Sequence, residues 1–385
     1  MERQSNLELL RIFSMFLIVM HHFSVHGGIP LVLENQSISP NLVLGQFFYC
    51  FGKVGVNLFV MITGYFLITR LGRLSSFLKL VITTFFFSVT LFLICSVFSG
   101  GGTFFEFIKA LLPLTSNQYW FITAYCSLFL LSPLITQVLT QLDRKTYAYI
   151  LVFVAIFASL VPTFGGAILG ETMFLYYNSE LFWFIFIFSL AGFIRLHVKT
   201  EILKNRYLAL ALVVMLLGTV VLIVISDLLM QAGASFFGYW SVFFSLNSCA
   251  SLIFSVLIFL LFVKTKIRSN NFINKWATCV LGVYLLHDNS YVRPLLWMDW
   301  IRPFELYKHP YFALESVVIL VMVFIGCSCI AYGVNVLLKE FFTIGKINDL
   351  FSKADLFWHE LFGNTSKSFV QVSTKLKNRE KKSSQ

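Results

Sequence analysis

About ten stretches of predominantly apolar residues follow one another along this chain. Each is close to the roughly 20 residues that a helix needs to cross the hydrocarbon core of a bilayer. Only 12% of the 385 residues are charged, whereas soluble globular domains carry about 25%. We therefore predict an all-α, polytopic transmembrane helical bundle. The predicted spans lie near residues 7–26, 45–68, 77–98, 118–138, 147–164, 181–197, 207–226, 241–263, 276–291 and 316–338.

The distribution of lysine and arginine orients this bundle, because cytoplasmic loops of membrane proteins collect positive charge. Alternate connections are basic, whereas residues 27–44, 165–180 and 227–240 contain neither lysine nor arginine. The alternation predicts an even number of spans with both termini in the cytoplasm. The basic connections contain Arg70, Arg73 and Lys79; Arg144 and Lys145; Arg195, Lys199, Lys204 and Arg206; and Lys264, Lys266, Arg268 and Lys275. The exceptions are Lys109 and the segment 292–315, which contains Arg293, Arg302 and Lys308.

The chain divides into a membrane domain, residues 1–338, and a basic cytoplasmic tail, residues 339–385. Apolar and polar residues alternate in the tail from Glu340 onward, which predicts a helix along the inner membrane surface and then a disordered basic end. The net charge of +11 follows from the basic loops and tail, so it indicates no nucleic-acid partner. The seven cysteines show no CxxC or Cys/His spacing, and we predict no metal site.

The first span carries titratable residues that are costly in lipid and therefore suggest function. Arg11 and His22 are 11 positions apart, which places them within roughly 20° of one helical face and about 16 Å apart along the axis. Glu8 can pair with Arg11 on the helix surface. An imidazole in a lined cavity can act as a general base, and an arginine at its mouth can hold a phosphate. Alternatively, Arg11 reaches the inner headgroups and His22 only bonds a neighbouring helix.

The face of the first span that carries Arg11 and His22, here called the stripe, also resembles a known motif. The pattern Leu10-Arg11-x-x-Ser14-x-x-x-Ile18-x-x-x-His22 resembles the opening motif of the acyltransferase 3 family of membrane O-acyltransferases, whose first helix carries an arginine, ten intervening residues and a histidine. Residues 51–68 are similar to the family's glycine-punctuated second helix, with Thr63 in place of the usual serine. Arg70-x-x-Arg73 looks like its paired-arginine motif, although the proline that often follows is missing before Pro113.

Two later segments extend the resemblance to about residues 5–338. Residues 117–125 with Ser132-Pro133 match the family's aromatic segment at the start of the fourth span, and residues 281–287 resemble its late Y-L-x-H helix. The resemblance identifies residues 1–338 as a transmembrane acyltransferase domain. No SGNH-type esterase domain follows in this sequence, so we expect a stand-alone member.

The resemblance implies transfer of an acyl group, commonly acetyl, from cytoplasmic acetyl-CoA to a hydroxyl of a cell-envelope glycan or lipid-linked saccharide. Acetyl-CoA is then a donor substrate, and no cofactor is bound permanently. Arg70, Arg73 and Arg11 would bind the CoA phosphates. His22 would activate the acceptor hydroxyl or carry the acyl group transiently, and we favour the general base. The expected location is a bacterial plasma membrane.

The substrate contacts that the resemblance suggests each have an ordinary alternative. Trp120 and Tyr125 are also typical of aromatic belts at membrane interfaces. Asn117 is a candidate sugar contact. His287, followed by Asp288, ends a predicted span on the outer side, where it either contacts the acceptor or simply reaches water. The positive-inside rule explains Arg70 and Arg73 without any ligand.

Two other functions compete with the enzyme. A transporter or flippase of glycan intermediates would use Arg11 and His22 as pathway residues, and such proteins often show an internal repeat. The stripe of the first span has no counterpart in the sixth. A scaffold protein would not need both residues on one face. Both observations favour the acyltransferase.

Overall fold

The computed structural model describes residues 4–30, 37–98, 101–116, 118–169, 179–233 and 240–363, and every regular element among them is a helix. One π-helical turn spans Ile156–Leu160 and another spans Leu295–Ile301. The helices are α1 Ser5–Val25, α2 Pro40–Tyr49, α3 Gly52–Leu67, α4 Leu74–Phe98, α5 Phe104–Leu111, α6 Trp120–Gln141, α7 Arg144–Ala155, α8 Val161–Leu169, α9 Glu180–His197, α10 Asn205–Gln231, α11 Cys249–Lys264, α12 Asn271–Trp276, α13 Val280–His287, α14 Val292–Pro294, α15 Pro303–Leu306, α16 Phe312–Thr343 and α17 Gly345–Leu361.

Nine helical stretches of the described chain are long and apolar enough to cross a membrane, which confirms the polytopic all-α bundle. The predicted span 276–291 differs, because it is not one long helix. Its residues form the end of the short α12, a turn at residues 277–279 and the eight-residue α13. α13 stops at His287, and the side chain of Asn289 then accepts from the backbone N–H groups of Tyr291 and Val292, which starts a new turn.

The broken segment nevertheless runs beside the whole of α1. Near the start of α1, the Ser5 hydroxyl donates to the Asn274 side chain at 3.0 Å. Near its end, the rings of His22 and His287 meet, with Nδ1 and Nε2 2.9 Å apart. Residues 274–287 therefore lie parallel to residues 5–22 and cover the same depth of the bundle.

The two described ends of the chain lie on the same side of the bundle. α16 runs antiparallel to α1, since the ring of Phe312 at its start packs 6.2 Å from that of Phe23 at the end of α1. α16 therefore ends on the side of the bundle where α1 starts, and α17 follows there. On that side the Asp355 carboxylate accepts from the backbone N–H and the hydroxyl of Ser75, at the start of α4. An even number of crossings requires this arrangement.

The predicted amphipathic helix of the tail is α17. It starts later than expected, because α16 continues to Thr343 rather than ending at residue 338. The buried face of α17 packs on the bundle: Trp358 stacks on Phe129 with ring centroids 6.3 Å apart, and Lys79 lies 5.1 Å from the ring centre of Phe351. The predicted disordered end, residues 364–385, lies outside the described residues.

α1 and α3 pack closely enough to exclude any side chain at Gly55. A Cβ atom there would lie 2.5 Å from the backbone oxygen of Ser14. The approach brings the first turn of α3 against His21, since a Cβ atom at Gly52 would lie 2.3 Å from the ring of that histidine. The glycines of the second span thus hold α3 against the face of α1 that carries the histidines.

Gly55→Val is expected to lower the thermal stability of the folded protein. The added side chain must push backbone rather than a mobile side chain, and overpacking of this kind costs about 1–3 kcal/mol. The control is Gly218→Val in α10, where a Cβ atom meets nothing within 4 Å. Thermal unfolding in detergent, followed by tryptophan fluorescence, should give a lower midpoint for Gly55→Val only. Equal midpoints for the two variants would contradict the close contact.

Candidate active site

A cavity of about 580 Å³ opens at the end of α1 that carries His22. The connection between α4 and α6 and the segment after α13 both contribute to the lining. The alternation of basic connections predicts that both lie on the outer side of the membrane. Most of the lining side chains are polar or charged. They are His21, His22, Val25, His26, Tyr49, Lys53, Glu106, Lys109, Ser116, Gln118, Trp120, Asp288, Ser290, Tyr291 and Arg293. Such a lining suits a hydrated, hydroxyl-rich ligand better than a lipid tail.

His22 lies in this cavity and is held by the end of α13. Its Nδ1 atom is 2.9 Å from Nε2 of His287 and 3.7 Å from Oδ1 of Asp288. Within the described residues, no hydrogen bond involves its other nitrogen, Nε2. His21 also lines the cavity, but its Nδ1 atom donates to the backbone oxygen of Tyr49 at 2.6 Å.

Asp288 is a buried carboxylate on which two imidazole groups and one guanidinium group converge. Its Oδ1 atom is 3.7 Å from His22, 3.3 Å from His26 and 3.5 Å from Arg293. His22, His26 and Asp288 also offer three potential metal ligands within 4.8 Å of one another. The guanidinium group of Arg293 approaches the same oxygen that a metal would need, so the cluster is better described as an ion-pair network.

Lys53 is a functional candidate that the sequence analysis overlooked. It lies in the first turn of α3, lines the cavity together with His22, and also lines a second, smaller pocket of about 30 Å³ that His22 shares. Its ammonium group lies 4.9 Å from the ring centre of Trp120, in a cation–π contact. A lysine inside a predicted span was a signal in its own right.

A second signal was present in the exceptions to the positive-inside rule. Lys109 and Arg293 are basic residues in connections that the charge pattern predicts to be on the outer side, and both line the cavity. A cation retained where membrane insertion disfavours it needs a local reason. For Arg293 the structure supplies one, the buried Asp288 carboxylate.

The opposite end of α1 carries a cluster of arginines. Arg11 pairs with Glu8 at 3.4 Å. Arg70 follows α3, and its guanidinium group packs 4.8 Å from the ring centre of Phe66. The pKa of Arg70 is lowered from its ordinary value by partial removal from water and then by the positive charges of Arg11 and Arg73. The charges of Arg11 and Arg73 thus act on Arg70, and an anion bound beside Arg70 would offset their repulsion.

A family model described as an acyltransferase domain matches residues 4–333. The chain belongs to the acyltransferase 3 family. It is therefore a multi-pass membrane acyltransferase, and the transporter and scaffold alternatives lose their support. Searches of curated proteins and of solved structures returned no match.

The fold of this acyltransferase brings some of the predicted site residues together and separates others. His22 and Trp120 line the same cavity, whereas Arg11, Arg70 and Arg73 cluster at the other end of α1. Tyr125 does not reach the cavity, because its hydroxyl bonds that of Thr63 at 3.2 Å between α6 and α3. Asn117 lies outside the described residues.

His287 differs from the expectation of a substrate contact. Its side chain is fully buried, and it contacts His22 instead of lining the cavity. The reason is that α13 ends at His287, whose ring faces His22 of α1 and not the cavity. The motif residue thus lies behind His22 and does not line the cavity.

Proposed function

We propose that this acyltransferase moves an acyl group, most simply acetyl, from cytoplasmic acyl-CoA to a hydroxyl of an envelope or exported polysaccharide, or of its lipid-linked precursor, in a bacterial plasma membrane. One observation carries the proposal. A single helix, α1, carries His22 in a polar cavity and Arg11 about 16 Å away along the axis, and Arg70 and Arg73 of the connection after α3 lie near Arg11's end of that helix.

The donor end of α1 is suited to the phosphates of CoA. Arginine binds phosphate through paired, charge-assisted hydrogen bonds, and the charges of Arg11 and Arg73 already act on Arg70 there. The extended pantetheine arm of CoA would then carry the thioester along α1 toward His22. No permanently bound cofactor is needed in this scheme.

The acceptor end is suited to a sugar. Trp120 offers an aromatic face at the cavity wall, and the side chains of Gln118 and Ser290 provide hydrogen-bonding groups of the kind that bind hydroxyls. Lys109 and Arg293 at the same wall add positive charge. This lining supports a carbohydrate acceptor approaching from the outer side.

The chemistry follows from placing the acceptor hydroxyl beside His22. The imidazole accepts the hydroxyl proton as the oxygen attacks the thioester carbonyl, and the carbon–sulfur bond then breaks. His22 returns the proton to the departing sulfur, so that the products are the acyl ester and free CoA. The ammonium group of Lys53, beside His22 at the cavity wall, would stabilise the negative charge on the carbonyl oxygen.

The test measures the O-acyl content of the host's surface glycan by proton NMR. A deletion strain is complemented with the wild-type gene or with empty vector, at matched glycan yield. We expect acyl signals with the wild-type gene only, and saponification with mass spectrometry identifies the acyl group. Unchanged acylation per repeat together with a lower amount of glycan would overturn the proposal in favour of transport.

A further inference from the structure

His287 uses both of its ring nitrogens in hydrogen bonds. Nδ1 lies 2.6 Å from the backbone oxygen of Val283, one turn earlier in α13. Nε2 lies 2.9 Å from Nδ1 of His22 in α1. The side chain of His287 is fully buried, so water cannot take the place of either partner.

These two contacts determine where the protons are. A carbonyl oxygen only accepts, so Nδ1 of His287 carries a hydrogen and donates it to Val283. A neutral imidazole has one donor and one acceptor, so Nε2 of His287 is the acceptor. The hydrogen between the two rings therefore belongs to Nδ1 of His22, which leaves the lone pair of His22 on Nε2.

We propose that His287 is a positioning residue that holds His22 in the tautomer protonated at Nδ1, with Nε2 free to accept a proton. A free neutral histidine prefers the other tautomer, protonated at Nε2, which has no lone pair on that atom. The hydrogen bond from His287 to its own helix orients the acceptor in advance. α13 thus selects the basic nitrogen of a residue on α1.

The inference rests on the proposed function for its catalytic meaning. When the acceptor hydroxyl gives its proton to Nε2, His22 becomes an imidazolium and its Nδ1–H bond to His287 is kept. Oδ1 of Asp288, 3.7 Å from Nδ1, is close enough to stabilise the positive charge. The proton then leaves from Nε2 to the CoA sulfur, and the pair of histidines returns to its starting state.

Two substitutions separate positioning from mere packing. His287→Gln keeps a side-chain oxygen that can accept from Nδ1–H of His22, whereas His287→Leu fills similar space and accepts nothing. The proposal expects His287→Gln to retain kcat within a few-fold and His287→Leu to lose about 10- to 100-fold. The donor KM should be unchanged in both variants.

The tautomer itself provides a readout that needs no activity. The protein is labelled with ¹⁵N-histidine in lipid vesicles, and magic-angle-spinning NMR distinguishes protonated from unprotonated ring nitrogens. Subtraction of a His22→Gln spectrum assigns the His22 signals among the seven histidines. We expect wild-type His22 to be protonated at Nδ1 and the His287→Leu variant to shift toward protonation at Nε2.

The outcomes distinguish this inference from the proposed function. A wild-type spectrum with His22 protonated at Nε2 overturns the inference, whatever the activity. So does a His287→Leu variant that transfers acyl groups as fast as His287→Gln, or an equal loss in both variants at unchanged melting temperature. The expected tautomer in a protein that acylates no glycan would leave the positioning intact and reject only the proposed function.

Discussion

Replacing His22 with glutamine is expected to lower kcat for acyl transfer by about 10²- to 10⁴-fold, the range typical of a lost general base. Glutamine can still hydrogen-bond near His287, but it cannot accept a proton from the acceptor hydroxyl. Because His22 lies about 16 Å from Arg11 along the axis, the KM for acyl-CoA should change little. Release of CoA in vesicles that contain the acceptor glycan measures both constants.

The matched control is His359→Gln, on an exposed position of α17. It should transfer acyl groups at the wild-type rate, and the yield and melting temperature of both variants should be equal to those of the wild type. Rapid quenching of the reaction with acyl-CoA in the absence of acceptor distinguishes a general base from an acyl carrier. An acylated His22 would accumulate only if the histidine carries the acyl group. Normal kcat in His22→Gln would remove His22 from the chemistry.

Neutralising the arginine cluster is expected to act on donor binding rather than on kcat. Arg11→Gln and Arg70→Gln should each raise the KM for acetyl-CoA by about 10- to 100-fold, since a hydrogen bond to a charged group contributes about 1.5–3 kcal/mol. The double variant should lose less than the product of the two effects, because the guanidinium groups share one anion and relieve one another's repulsion.

A control for charge alone is Arg144→Gln, an exposed arginine in another basic loop. It lowers the positive charge of the cytoplasmic side by the same amount and should leave the donor KM unchanged. Comparing the donor KM of each variant for acetyl-CoA and for a donor without the 3′-phosphate shows whether the arginines bind that phosphate. If Arg11→Gln and Arg144→Gln raise KM equally, the cluster serves membrane orientation and is not a CoA site.

Nine of the ten predicted spans correspond to helical stretches, within the described residues, that are long and apolar enough to cross a membrane, and they could be predicted because lipid imposes simple rules. Apolar length and the alternation of basic loops need no knowledge of tertiary contacts. The shared face of Arg11 and His22 follows from helical geometry alone, since both residues lie within one regular helix. The exception was the segment 276–291. Its hydropathy indicates an apolar stretch, but hydropathy alone does not show where a helix within such a stretch ends.

The contacts that define the candidate site could not be predicted in the same way. His22 and His287 are 265 residues apart, and only the packing of α1 against α13 brings the rings together. Tyr125 had the same aromatic signal as Trp120. It lies 5 positions further along α6, however, on a face that points toward Thr63 and away from the cavity. The face that a helix presents to a cavity depends on its neighbours, which a single sequence does not record.

The early end of α13 has an electrostatic consequence. The peptide dipoles of a helix sum to a partial negative charge at its C-terminus, and this attraction for a cation is about 0.3–1 kcal/mol at exposed sites and larger where water is excluded. α13 terminates at His287, directly against the His22 ring. A helix that crossed the whole bilayer would direct this end into the outer headgroups. By stopping short, α13 directs its negative pole at the imidazole that must carry a positive charge during turnover.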